Sequence, residues 1–260
     1  MQKTSVTISV SMLAAAVFGA FFRWLQIHNG FDPETGCAIP YAGTAILFLL
    51  YSIAVAAAVC ALAVILCRRF SCRRDALALG SGNPATVTVG WIFGVAFALC
   101  AAAFLFSTGL VRFPLFRRIT GAGGILAGLC FPLMMSRLKD RESGRTVRTA
   151  AMIVTLFYCL WLIYAYRINS ENPTIWRIAV EMLAIASGAM SFYYVTGFFF
   201  GQGIPGRAIA ALMLGVYFNV TVLFEERSLA QTGMFALTAA MCTAMLLRLL
   251  RHLEPKTQEE

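Results

Sequence analysis

Charged residues in this chain are gathered into short clusters, and between the clusters lie eight stretches without a single Asp, Glu, Lys or Arg: 4–22, 35–67, 76–111, 119–136, 149–166, 182–206, 208–224 and 228–247. A bilayer's hydrocarbon core, about 30 Å thick, is crossed by about 20 helical residues, with roughly 17 to 25 as the working range. The shortest stretches reach that length once uncharged flanks or snorkelling arginines are counted. Lipid offers backbone groups no partner, so a spanning segment must close its own hydrogen bonds, and long apolar runs without alternation point to helices rather than barrel strands. Composition agrees: 60% of the residues are hydrophobic, 13% are charged, and the mean hydropathy is +0.77. The sequence therefore predicts an all-α integral membrane protein, one polytopic domain over residues 1–260. Its eight transmembrane helices are expected near 4–26, 41–67, 86–110, 119–136, 149–166, 174–200, 208–224 and 229–250.

Seven of the eight prolines fall in the connections or at the ends of the runs, and only Pro132 lies inside one. The N-terminus carries Lys3, an apolar run and small residues at 14–16, like a secretory signal. The run continues to Trp24 and Leu25, which makes it an uncleaved first span. Counting Lys and Arg on alternate sides gives 14 on the side of the N-terminus and 7 on the other. The positive-inside rule then places both termini in the cytoplasm, with VRFPLFRR, three arginines and no acid, standing against the rule on the outer side. The net charge of +9 fits anchoring at the cytoplasmic face, with anionic lipid as a possible partner. Nucleic acid is not expected, because RRFSCRR and RLKDRESGR are short connections without stacking aromatics around them.

GQGIPG at 201–206 matches the glycine spacing of a dinucleotide-binding turn, with Glu225 near the place of a ribose ligand. Its context is wrong for that chemistry. Membrane-length apolar runs flank it on both sides, and Pro205 removes an amide where phosphate needs one. A turn between two helices accounts for the same letters.

No hydrophilic connection is long enough to fold as a soluble domain, so any activity must lie within the bundle. Five of the eight cysteines, Cys60, Cys100, Cys130, Cys159 and Cys242, lie within spans, and Cys37 stands alone. Cys67 and Cys72 flank the first inner loop, and neither a histidine nor a second pair completes a zinc set. His28 and His252, the only histidines, sit outside the apolar runs, which disfavours intramembrane metalloproteases and serine–histidine hydrolases. EER at 225–227 has the glutamate pair of intramembrane CAAX-type proteases but neither their arginine spacing nor their helix histidines, and reads as a polar turn. No metal or cofactor is expected, and no enzyme activity.

The segment WRIAVEMLAIASGAMSFYYVTGFFFGQGIPGR resembles uncharacterised bacterial multi-span proteins, with a tryptophan-and-glutamate start leading to a paired-tyrosine, aromatic-glycine end. The resemblance implies a multi-pass protein of the bacterial inner membrane and brings no known activity. Three features inside the bundle stand out. Span four holds Pro132, expected to kink it near Gly128, and Gly124 with Gly128 form a GxxxG face for close helix packing. Asn219 with Thr221, and Ser107 with Thr108, can bond across helices or line a path.

Glu181 is the third feature: an acid inside an apolar run, about 12 Å along a helix whose expected start is Asn172 and Pro173. At that depth it must be paired or protonated, with Arg177, Arg23 or Arg167 as expected partners. These residues, with Asn219, are the candidate substrate site. The function expected is a small-solute permease or a membrane subunit of a transport system; the alternative is a non-catalytic structural or regulatory partner of another membrane protein, and an intramembrane enzyme on lipid ranks third. A wet cavity lined by Glu181, Asn219 and Gly128 would favour transport, and a dry bundle with a large apolar outer groove would favour a partner.

Overall fold

The computed structural model describes residues 2–32, 37–39, 42–79, 84–107, 113–135, 141–170, 175–225 and 227–255. Eight helices in it are long and apolar enough to cross a membrane. They are α1 (Gln2–Asn29), α2 (Gly43–Arg69), α3 (Pro84–Phe106), α4 (Pro114–Met135), α5 (Arg141–Asn169), α6 (Ile175–Phe199), α7 (Pro205–Thr221) and α8 (Leu229–Arg251). The protein is a multi-pass, all-α chain of membrane type.

Local chemistry sets several helix boundaries. Proline opens α3, α4 and α7, where its fixed φ suits the first turn and its missing N–H is not needed. Ser228 caps α8 by accepting a hydrogen bond from the Gln231 amide. At the end of α6 the amide of Gly201 bonds the Phe198 carbonyl and that of Gln202 bonds the Gly197 carbonyl, with Gly201 at φ 74°. That is a Schellman stop, which needs glycine for its left-handed residue. GQGIPG is thus a helix stop followed four residues later by a proline start.

Helices α3 to α8 close a ring, each packing on the next and α8 returning to α3. Aromatic side chains fill the ring. Tyr158 stacks on Phe192 at 5.0 Å, Trp161 meets Phe235 at 4.7 Å, and Phe97 meets Phe157 edge-on at 5.7 Å. Trp161, Tyr158, Phe192 and Phe235 are all but inaccessible. Helices α1 and α2 lie outside the ring, packed on α7 and on each other.

The α3–α4 seam is the tightest. A Cβ on Gly94 would lie 2.5 Å from the Gly128 carbonyl oxygen, and one on Gly128 would lie 2.6 Å from that of Gly94. Gly124 abuts the Ala101 methyl, so the glycine face of α4 is spent on close contact with α3. Pro132 packs its ring against Gly94 in the last turn of α4, which runs unbroken from Pro114 to Met135.

One end of the bundle is clamped by the loop after α2. A two-residue ribbon, β1 (Phe70–Ser71) with β2 (Glu254–Pro255), holds the segment after α8 antiparallel to that loop. The Gly203 amide donates to the Arg74 carbonyl at 2.9 Å, and buried Arg248 donates from Nε to the Leu79 carbonyl at 2.7 Å. Burial, then the neighbouring Cys67, Asp75 and Glu254, pushes the Cys72 thiol up to about 11.

Candidate functional site

At the opposite end, where α1, α3, α5 and α7 finish, four charged side chains leave water together. Helix α7 stops at Thr221 and tightens into a 3₁₀ turn, Val222–Phe224, after which Glu225 is extended at φ −82°, ψ 146°. That turn brings Glu225 and Arg227 to the bundle just before Ser228 starts α8. Arg23, near the end of α1, reaches one Glu225 oxygen with both Nη2 at 2.7 Å and Nε at 2.8 Å. Its Nη1 donates to Gln26 Oε1 at 2.8 Å. The other Glu225 oxygen accepts from Arg227 Nη2. Arg227 Nη1 reaches Glu181 Oε1 on α6 at 2.7 Å, and Asn169 at the end of α5 donates to Glu181 Oε2 at 3.2 Å.

The result is one continuous string, Gln26, Arg23, Glu225, Arg227, Glu181, Asn169, tying α1, α5, α6 and the α7–α8 turn. Side-chain exposure is 0% for Arg23, 7% for each glutamate and 12% for Arg227, so these charges have lost most of their water. Alternating signs make the loss tolerable: each carboxylate faces a guanidinium, and the string is neutral as a whole. Burial works against the charge on Arg227, but Glu181 and Glu225 outweigh it, and its pKa is raised. The Arg227 guanidinium also lies 5.5 Å from the centre of the Phe235 ring, and that of Arg23 lies 5.7 Å from Phe48.

Two cavities flank the string. A polar vestibule of about 600 Å³ lies between α5, α6 and the start of α8, lined by Tyr164, Asn169, Glu181, Arg227, Ser228 and Gln231, among others. The second, about 520 Å³, is an apolar cleft on the other side of α6, with Arg23 and Gln26 at its polar end. Helix α6 separates them: Glu181 faces the vestibule, while Ala179, Val180 and Leu183 face the cleft.

Glu181 therefore has an arginine, Arg227, which was not among the three expected. Arg23 sits in the same string and pairs with Glu225. Arg167 lies over the Phe113 ring at 5.5 Å. The side chain of Arg177 and residues Asn172 and Pro173 lie outside the described residues. Arg227 reaches Glu181 because the turn after α7 points back over the bundle, a folding-back that spacing along α6 cannot reveal. The EER motif, read as a mere polar turn, supplies two of the string's four charges, Glu225 and Arg227, and the signal was available in an acid and an arginine bracketed by apolar runs.

Asn219 is wholly buried at the α6–α7 contact. Its amide donates to the Ala184 carbonyl of α6 at 3.0 Å and the Gly215 carbonyl at 2.8 Å, and its Oδ1 has no hydrogen-bond partner among the described residues. It lines neither cavity. Thr221 bonds back to the Tyr217 carbonyl at 2.7 Å, and Ser107 accepts from Arg117 at 3.3 Å, while Thr108 lies outside the described residues. Gly124, Gly128 and Pro132 belong to the α3–α4 seam. Among the described residues no cluster of three or more His, Cys, Asp or Glu side chains could hold a metal. No family model, curated protein or solved structure matches the chain.

Proposed function

We propose that the chain is a small-solute permease or the membrane subunit of a transport system, without chemistry of its own, and that the vestibule at Glu181 and Arg227 receives the solute. One observation carries this reading: a largely buried carboxylate and guanidinium line an open polar cavity, in a bundle whose other spans carry no acidic residue. Such a lining, with Asn169, Ser228 and Gln231 beside it, suits a small zwitterionic or multiply hydrogen-bonding solute. The 14 to 7 bias of basic residues supports a vestibule open to the outside of a bacterial inner membrane and both termini in the cytoplasm. Below the vestibule the aromatic filling closes the ring, so passage requires the ring to open, as alternating access demands.

A thermal-shift panel of small zwitterions, carboxylates and sugars on the purified protein tests the site, since a ligand that binds only the folded state raises its unfolding temperature. At least one solute class should stabilise the native protein, and the shift should vanish in Glu181→Gln and shrink in Gln231→Ala. Equal shifts in all three proteins would place the solute elsewhere.

The second reading, a structural or regulatory partner of another membrane protein, is favoured by the use of Asn219 and Gly128. Both belong to helix packing rather than to a cavity wall, and the bundle carries an apolar outer groove. On that reading the ionic string only pins four elements together at one membrane surface.

A further inference from the structure

A string of alternating charges has two ends, and in this one the ends differ in sign and in surroundings. The positive end is Arg23, wholly buried and held by Gln26 on the far side of α6 from the vestibule. Glu225 and Arg227, in the middle, each have opposite charge on both sides. The negative end, Glu181, opens on the vestibule. Among the described residues Glu181 has one ionic partner, Arg227, which it shares with Glu225, and its second oxygen is met by the neutral amide of Asn169 at 3.2 Å. Arg117 of α4 and Arg167 of α5 lie at the same end of the bundle but turn to Ser107 and to the Phe113 ring, and neither lines the cavity.

Hydrogen bonding carries the same bias. Both amide hydrogens of Asn169 are committed, one to the Ala165 carbonyl at 2.9 Å and one to Glu181. The Ser228 hydroxyl donates to Gln231 Oε1 at 3.1 Å, and each terminal nitrogen of Arg227 serves a carboxylate. A carboxylate has about four acceptor positions, and Arg227 and Asn169 fill two of those on Glu181. Resting on the reading of the vestibule as the solute site, we propose that it selects solutes with a primary ammonium group, amines or amino-acid zwitterions, and seats the ammonium on Glu181 as the next member of the alternating string. An ammonium brings three donors and no acceptor, and it leaves every existing pair intact. A solute that is only anionic would compete with two carboxylates for Arg227 and lie beside Glu181, where like charges repel. The cavity, about 600 Å³, is within the roughly 300 to 1,000 Å³ usual for organic ligands.

Matched probes test the sign. Glycine, alanine, ethanolamine and putrescine, each beside its fully N-acetylated derivative, are titrated against the full chain in detergent and the unfolding temperature is followed. Acetylation removes the ammonium and keeps the rest of the solute. At least one amine should stabilise the protein at an about tenfold lower concentration than its acetylated partner, the discrimination that one charge-assisted hydrogen bond supplies. Glu181→Gln should erase that difference, and Glu181→Asp, which keeps the carboxylate, should retain part of it, so that a folding defect in one variant does not decide the outcome. Equal shifts from amines and their acetylated partners would overturn the proposal, as would a preference for the amine that survives Glu181→Gln. A preference that emerges only in Arg177→Ala would also overturn it, because Arg177 would then occupy the end of the string in the native protein. Stabilisation by a sugar that is lost in Glu181→Gln, with no response to the four amines, would remove the ammonium and keep the vestibule as the solute site. Silence from sugars, carboxylates and amines alike would remove both.

Discussion

Glu225 holds two arginines apart, and this makes it the most exacting residue in the molecule. Removing one member of a buried ion pair leaves the other uncompensated, at a cost of about 3 to 5 kcal/mol. Glu225→Gln leaves Arg23, which is wholly buried, without its carboxylate and takes one of two from Arg227. Glu181→Gln leaves Arg227 still paired with Glu225. We therefore expect the unfolding temperature in detergent to fall much further for Glu225→Gln than for Glu181→Gln; the reverse order would mean that the string is not the unit described here. Legibility at this scale was partial. An acid in an apolar run announces that it needs a partner, whereas which partner it takes depends on the direction of a turn 44 residues away in the chain.

Elements were far more legible, because the rule that writes them is one-dimensional: each charge-free run became a helix. Polar ends are where reading by charge fell short. The fifth run begins at 149, but α5 begins at Arg141, since arginine and glutamate are good helix formers and need no lipid around them. Packing between elements was readable in the glycines of α4. Gly128→Ala sets a methyl carbon against backbone atoms of α3 that cannot yield without moving the helix. Overpacking of this kind costs about 1 to 3 kcal/mol. Gly123→Ala, on the same helix, would meet the end of the Leu160 side chain at 3.3 Å, which can give way. Melting curves of the two variants should separate clearly, with Gly128→Ala the less stable; equal curves would show that the seam is looser than its geometry implies.

At the scale of the whole molecule, α3 to α8 close a ring with the ionic string at one end and a knitted loop at the other, and nothing in the order of the spans announced that ring. Which helices become neighbours is decided by side-chain shape, here the aromatic filling and the glycine seam, and periodicity in a uniformly apolar run does not encode it. On the proposed function, the ring opens below the vestibule to pass a solute. Cys242 is placed to report on it: wholly buried, beside Ser191 and Gly215, and eleven residues or about 16 Å further along α8 than Gln231 in the vestibule. The decisive measurement is alkylation by a small hydrophilic thiol reagent, on reconstituted protein whose other cysteines are replaced, with Gln231→Cys added in a parallel variant. A permease should label rapidly at position 231 and more slowly but completely at Cys242, at a rate that a vestibule solute alters. Rapid labelling at 231 with Cys242 inert until the protein is unfolded would contradict transport, and leave a rigid bundle that serves another membrane protein.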